Sequence, residues 1–73
     1  MAQRVFEKFY KKFGERCRQL RRKNGLTQED MMQFGFDRRH YQLIESGKPF
    51  HMDTAIRLSK AFKVHLSELF ENM

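Results

Sequence analysis

Two helix-start signals lie ten residues apart on either side of a glycine, and this pattern constrains the fold more than any other part of the chain. Thr27 is followed three residues later by Asp30, a near match to the capping box, whose third position is usually Glu or Gln. Asp37 follows Gly35-Phe36 and precedes a run of good helix formers. Only a short helix fits between the two signals, so its partner begins almost at once. Two short helices joined by a glycine-containing turn are typical of a helix-turn-helix, which we predict at about 27–45.

The second helix of this pair is predicted to have one basic polar face and one apolar face. At about 100° per residue, Arg38, Arg39 and Gln42 fall within an arc of about 100°, whereas Tyr41 and Ile44 lie on roughly the opposite side. Arg can bind guanine O6 and N7 as a fork, and Gln can do the same at adenine N6 and N7. The alternative is a solvated surface with no ligand. The surrounding helix signals favour a surface that reads the DNA major groove.

The histidines and the cysteine give no sign of a catalytic, metal-binding or redox site. His40 lies between the two faces and could contact phosphate, contact a base or only pack. His40, His51 and His65 do not have the spacing of metal ligands, and His65 is interpreted as a helix-entry residue. Cys17 is the single cysteine, so no intramolecular disulfide can form, and we interpret it as a small core residue rather than a redox sensor. We expect no catalytic residue, metal or cofactor.

Charge is distributed unevenly along the chain. The net charge of +6 and pI of about 9.9 suit nucleic acid, an anionic membrane or an acidic protein. Residues 1–23 contain nine of the fifteen Lys and Arg and two acids, whereas residues 64–73 contain no Lys or Arg and two acids. A basic N-terminal half would attract the phosphate backbone, and the C-terminal end is better suited to a contact with a second copy of the chain.

Length and hydropathy indicate a small protein of the cytoplasm. The 73 residues suffice for one domain, 1–73, which buries only about 60% of its unfolded surface. No stretch approaches the roughly 18 apolar residues of a membrane span, and charges interrupt any signal-like segment at the start. We therefore expect a cytoplasmic, nucleoid-associated protein with no membrane partner.

The remaining segments also have helical periodicity. Apolar residues at steps of three and four predict an extended first helix over about 3–24, which Gly25 ends. Gly14, inside it, marks either a bend or a close approach by a neighbouring helix. A fourth helix is predicted from Asp53, as N-cap, to Phe62, with Met52 closing its entry, and a short fifth helix follows. No segment alternates with period two, so the fold class is all-α, a compact five-helix domain.

The first turns of the first helix carry three aromatic residues, Phe6, Phe9 and Tyr10. They could be extra core, or they could form a dimer contact or a patch for another protein. A basic amphipathic helix lying on a membrane is the third possibility. The sequence leaves these three interpretations open.

Three sequence segments together resemble the Cro/phage-repressor (XRE) family of helix-turn-helix regulators. They are Leu-Arg-Arg-Lys-Asn-Gly-Leu-Thr-Gln-Glu-Asp at 20–30, Ile-Glu-Ser-Gly-Lys at 44–48 and Leu-Ser-Lys-Ala-Phe-Lys-Val at 58–64. The resemblance covers about 13–70 and implies a lambda-repressor-like fold that binds operator DNA, usually as a dimer.

The same resemblance implies roles for individual residues. Gln28 would hold a phosphate and steady the recognition helix, and Arg21 would form a structural ion pair with Glu45. The implied base-reading residues are Arg38, Arg39 and Gln42, and the implied phosphate contacts of the following loop are Ser46 and Lys48.

The chain also differs from the family pattern within the helix-turn-helix. The interval from Gln28 to Gly35 is one residue shorter than is usual, so the second helix or its turn must be tighter. Met32 stands near a position where the family favours Ala, and Tyr41 replaces an aliphatic residue on the buried face. These two changes could offset each other in volume.

The leading functional hypothesis is a sequence-specific double-stranded DNA-binding transcriptional regulator, a repressor that binds a two-fold operator as a homodimer. Its recognition helix, at about 37–45, would enter the major groove. The alternative is an antitoxin or another protein-interaction module that uses the aromatic N-terminal helix. RNA polymerase and a toxin are the possible protein partners, and an enzyme is the weakest class.

Overall fold

The computed structural model describes residues 2–71, with side chains described from Phe6 onward, and over this range the chain folds into five helices with no strand. Four are α-helices and the second is a 3₁₀ helix; in chain order they are α1 (Ala2–Lys23), η1 (Glu29–Phe34), α2 (Arg38–Glu45), α3 (Met52–Ala61) and α4 (Leu66–Leu69). The predicted all-α, lambda-repressor-like five-helix fold is confirmed. None of the described helices combines the length and the apolar composition that crossing a bilayer requires.

The core fills the space between α1 and the other helices. Its fully buried large side chains include Phe13, Cys17, Tyr41 and Phe62. Cys17 is therefore a core residue, as predicted, and its burial raises the pKa of the thiol above the ordinary value. The complete set of buried apolar residues is Phe13, Cys17, Leu20, Met31, Phe36, Tyr41, Ile44, Ala55, Leu58, Ala61, Phe62 and Leu69.

The 3₁₀ winding of η1 accounts for the shortened interval before Gly35. Thr27 and Asp30 form the predicted reciprocal cap, since the Asp30 N–H donates to Thr27 Oγ1 (3.1 Å) and the Thr27 N–H donates to Asp30 Oδ2 (2.8 Å). A 3₁₀ helix rises about 2.0 Å per residue against about 1.5 Å in an α-helix. The six residues of η1 therefore span about the length of eight α-helical residues. The greater rise per residue of the 3₁₀ helix thus compensates for the missing residue.

Met32 and Tyr41 do not offset each other in volume, which the sequence had left open. Met32 is 53% exposed, so its bulk lies in solvent, and the neighbouring Met31 is the residue that enters the core. Tyr41 is fully buried, as predicted. The bulky ring on α2 is therefore accommodated by the core itself.

The predicted start of α3 is wrong. His51, and not Asp53, is the N-cap: its backbone is extended (φ −87°, ψ 160°) and its carbonyl accepts the Thr54 N–H at 3.0 Å. Asp53 lies in the first turn, where its charge complements the helix dipole. Met52 is 61% exposed and does not close the entry to the core. The inward face of this segment consists of Ala55, Leu58, Ser59 and Phe62, which are all buried.

The helix entry at His65 is confirmed. His65 is the N-cap of α4, and its backbone N–H donates to Glu68 Oε1 at 3.2 Å, which is half of a capping box.

The aromatic residues at the start of α1 join a ring cluster with Phe50, in the loop after α2, and Phe70, after α4. Phe9 stacks on Phe70 (centroids 6.0 Å apart), and Tyr10 meets Phe50 edge to face at 5.3 Å. Phe13 stacks on both Phe50 and Phe70, at 4.4 and 5.3 Å. Phe9 and Tyr10 are thus additional packing, whereas Phe6 is 59% exposed.

Gly14 is a point of close approach between α1 and α2. A Cβ built at Gly14 would lie 2.5 Å from the carbonyl oxygen of Glu45 and 2.7 Å from that of Ile44. Of the two predicted interpretations, a close approach is the one observed. The absence of a side chain at this position allows the first helix to pack directly on the C-terminal end of α2.

Lys63 has a left-handed backbone conformation at the end of α3, with φ of 57°. Lys63 N–H donates to Lys60 O and Val64 N–H donates to Ser59 O, which is the Schellman pattern. The same motif ends α1 and α2, where Gly25 and Gly47 hold the corresponding position. A side chain in this conformation costs roughly 1 to 2 kcal/mol.

We therefore expect Lys63→Gly to raise the free energy of unfolding by about 1 kcal/mol, or the melting temperature by about 4 to 8 °C. Lys63→Ala is the matched control, because it removes the charge and keeps the Cβ that makes the conformation costly. Thermal and urea unfolding of the two variants measure the effect. An equal gain in both would attribute it to the lysine charge and contradict the backbone explanation.

Candidate DNA interface

The second helix of the helix-turn-helix, α2, has the two faces that its sequence predicts. Its N-cap is Asp37, whose side chain accepts the backbone N–H of His40 at 3.3 Å. Tyr41 and Ile44 are buried against the core. The predicted base-reading residues Arg38, Arg39 and Gln42 are all exposed, together with His40. The helix therefore presents a basic polar surface, and its opposite face attaches it to the core.

Glu45, at the end of α2, is the centre of the polar network behind this surface. Its side chain is only 2% exposed, and Arg21 of α1 donates to it through Nε (2.7 Å, to Oε2) and Nη2 (3.4 Å, to Oε1). The ion pair implied by the family resemblance is thus present. Arg18 Nε lies 3.7 Å from Oε1 of the same carboxylate, and Gln28 Nε2 donates to Oε1 at 3.1 Å.

The network keeps Glu45 ionised despite its burial. Burial by itself would raise the pKa of Glu45, but the hydrogen bonds it accepts, foremost from Arg21, outweigh this and leave the pKa below its ordinary value. The same hydrogen bond raises the pKa of Arg21. The Tyr41 hydroxyl is turned toward this carboxylate but makes no hydrogen bond of good geometry, and burial raises its pKa.

Gln28 connects this buried network to the exposed face of α2. Because the Glu45 carboxylate can only accept, the amide nitrogen of Gln28 must face it, and Gln28 Oε1 then accepts Nε2 of Gln42 at 3.4 Å. This contact uses one N–H of Gln42. Its Oε1 and second N–H make no hydrogen bond with the described residues, and one acceptor beside one donor is the pattern that matches the adenine edge.

The exposed arginines of α2 are held to different degrees. Arg38 Nη2 lies 3.7 Å from Glu29 Oε1 of η1, and both side chains are more than 60% exposed. Arg39 forms no ion pair or side-chain hydrogen bond with the described residues. The His40 ring lies 6.0 Å from the ring of Phe36, so packing is the contact that the structure shows for it.

The loop after α2 uses its backbone donors internally. The N–H groups of Ser46, Gly47 and Lys48 donate to carbonyls of α2, and the Ser46 hydroxyl donates to Leu43 O at 2.7 Å. These N–H groups are therefore committed within the protein. The ammonium of Lys48, which is exposed, is the charged group that this loop offers to a phosphate.

Two arginines that sequence reasoning did not single out position the motif. Arg57 of α3 donates from Nη1 to Gly35 O in the turn (3.2 Å), and its guanidinium lies 5.5 Å from the centroid of the Phe36 ring. Arg57 thus fixes the turn from 22 residues away, and nothing in the local sequence signals this contact. Arg18 belongs to the Glu45 network, and its spacing of three from Arg21 was the available signal.

Comparison with known proteins agrees with this geometry. A helix-turn-helix family model, HTH_3, matches residues 18–69, which is well over half of the chain and includes η1, α2 and the Glu45 network. The chain belongs to this XRE-type family of helix-turn-helix DNA-binding regulators. Comparisons with curated proteins and with solved structures returned no significant match.

Proposed function

We propose that this protein is a sequence-specific transcriptional regulator that binds double-stranded operator DNA by placing α2 in the major groove. The observation that carries the proposal is the exposed face of α2, where Arg39 is unpaired among the described residues and Gln42 is oriented by Gln28. The buried Glu45 network holds this face in a fixed position relative to the rest of the protein.

The base contacts come from three side chains in this proposal. Arg39 and Arg38 supply forks for guanine, and Gln42 supplies the paired donor and acceptor for adenine. The ion pair of Arg38 with Glu29 is exposed and contributes little stability, so exchanging Glu29 for a guanine edge costs little. His40 lies beside this set and adds a phosphate or base contact at the flank.

Phosphate contacts set the register of the helix on the duplex. Lys48 contributes a point charge from the loop after α2, and Ser46 and Gln28 contribute polar groups near the two ends of the motif. For Ser46 this requires the hydroxyl to exchange its bond with Leu43 O for one with phosphate. Such contacts position the protein and carry no base information.

The regulator acts as a homodimer in this proposal, on half-sites about 34 Å apart along one face of the duplex. Bound at an operator, it would repress by occluding RNA polymerase, and it would be found with the nucleoid in the cytoplasm. The lack of Lys and Arg over residues 64–73 supports a contact between copies at that end.

The alternative function is capture of a toxin or another protein by the aromatic start of α1. Phe9 and Tyr10 are drawn into the ring cluster, so among the described side chains of this segment Phe6 is the exposed aromatic. This leaves a protein partner less aromatic surface than the sequence suggested. The DNA-binding proposal is therefore the better supported of the two.

Selection from a random duplex pool tests the proposal, because it reports sequence preference, half-site symmetry and spacing together. We expect a two-fold consensus, and affinity for it should fall by orders of magnitude between 50 and 200 mM salt if six or more phosphates are contacted. A protein that shows no preference over random duplex would overturn the proposal. Sedimentation of the free protein and of the complex gives the number of copies in each.

Two substitutions separate base reading from phosphate contact. Arg39→Ala should weaken binding by about 1 to 3 kcal/mol and relax the preference at one base pair. Lys48→Ala should weaken binding to all sequences alike and lower the salt slope by about one unit. Both are read from titrations of the selected operator and its single-base variants at several salt concentrations. Identical behaviour of the two variants would make Arg39 a phosphate contact.

A further inference from the structure

Leu43 is an apolar residue on the polar face of α2. It is 38% exposed, and it is the exposed large apolar side chain among the described residues of that helix. At about 100° per residue it lies about 40° from Arg39 and about 60° from Ser46 around the helix axis. Its nearest neighbours on the surface are thus the residues assigned to DNA, and not the core.

The surroundings of Leu43 identify the kind of surface it meets. Arg39 lies four residues before it and Ser46 three residues after it, which are the spacings of side chains that touch along a helix. Helical side chains lean toward the N-terminus, so Leu43 leans toward Arg39. A basic and polar rim of this kind is suited to an anionic partner with a small apolar feature.

The DNA major groove has one such feature, the C5-methyl group of thymine, which sits among hydrogen-bonding base edges. We propose that Leu43 contacts a thymine methyl group and determines specificity at that base pair. The inference rests on the proposed function, since it requires α2 to enter the major groove. It goes beyond that function because it assigns an apolar readout to a helix otherwise interpreted through hydrogen bonds.

The geometry also limits where this thymine lies. Four residues of α-helix separate Leu43 from Arg39, or about 6 Å along the axis. Base steps are about 3.4 Å apart, so the thymine lies within about two base steps of the base pair contacted by Arg39. The operator consensus should therefore contain a thymine close to a guanine in each half-site.

Deoxyuridine provides the direct test, because it pairs like thymidine and lacks only the methyl group. In the selected operator, each thymine of the half-site is replaced in turn and the affinity of the protein is measured. Burial of one carbon is worth a factor of about four, so one position should lose about fourfold per half-site and about fifteenfold when both half-sites are changed. Leu43→Ala should bind the thymine operator more weakly and show no loss at that position.

Ile56→Ala is the matched control, since Ile56 is a similarly exposed aliphatic residue on α3 (43%) and should keep the full sensitivity to uracil. Melting curves confirm that both variants are folded. The inference is overturned if no thymine shows the loss, or if Leu43→Ala retains it. It is also overturned if Leu43→Ala dissociates the dimer while the sensitivity to uracil persists, since Leu43 would then be a contact between copies. A selected consensus with any of these results would leave the proposed function standing, whereas the absence of any consensus would remove both.

Discussion

Glu45→Gln should lower the free energy of unfolding by about 3 to 5 kcal/mol, because it leaves the charge of Arg21 without its partner in a nearly buried position. The Glu45 side chain is 2% exposed and that of Arg21 is 11% exposed, so water replaces the lost carboxylate only in part. A domain of this length has a total stability of about 4 to 11 kcal/mol. The variant is therefore expected to be substantially unfolded at moderate temperature, as measured by urea denaturation.

Glu29→Gln is the matched control for this substitution. Its carboxylate also faces an arginine of the motif, but both side chains are mostly exposed and the pair is worth less than about 1 kcal/mol. A double variant, Arg21→Met with Glu45→Leu, should be more stable than Glu45→Gln because it leaves no unpaired charge. A loss below 1 kcal/mol in Glu45→Gln would contradict the central position of this carboxylate.

The ion pair also predicts the pH dependence of stability. The pKa of Glu45 is lower in the folded than in the unfolded chain, so the unfolded chain binds the proton more readily and stability rises with pH in this range. The contribution is complete above the unfolded pKa of about 4.3 and is lost as the pH falls through the lower folded value. Urea midpoints measured from pH 6 to pH 2 should show this loss in the wild-type protein, and it should be smaller in Glu45→Gln.

Gly14→Ala should destabilise the fold by about 2 kcal/mol or more, although alanine is the better helix former by about 1 kcal/mol. The new methyl group would lie 2.5 Å from Glu45 O and 2.7 Å from Ile44 O, which are backbone atoms that cannot turn aside. To accept it, α1 must move away from the end of α2. Thermal unfolding measures the effect.

The sign of this change decides between two explanations. On an open helix surface, replacing glycine by alanine raises the free energy of unfolding by about 1 kcal/mol. A Gly14→Ala variant that is more stable than the wild type would therefore contradict the close approach. Gly25→Ala, in the Schellman motif that ends the same helix, is the control: the new methyl group meets nothing within 4 Å, and the expected cost is only the strain of a left-handed backbone (φ 69°), about 1 kcal/mol. Gly25→Ala should keep the DNA affinity of the folded protein, whereas displacement of α1 by Gly14→Ala should reduce it.

Local signals in the sequence correctly predicted most of the helices. The caps at Thr27 and Asp37 and the apolar periodicity of α1 are short-range features, and the structure confirms each of them. The start of α3 was predicted wrongly because Asp53 is a good capping residue, yet the backbone after Pro49 becomes helical two residues earlier and makes His51 the cap. The path of the preceding loop, and not the capping preference of the Asp53 side chain, determines where this helix begins.

The sequence by itself determined the helix-turn-helix and the two faces of α2, because both depend on residues within one or two turns of each other. Tertiary structure decided how that helix is held. The direct packing of α1 at Gly14, the sharing of Glu45 by Arg21, Gln28 and Arg18, and the contact of Arg57 with the turn join residues 17 or more positions apart. Such contacts depend on where whole helices come to lie, and helix periodicity carries no information about that placement.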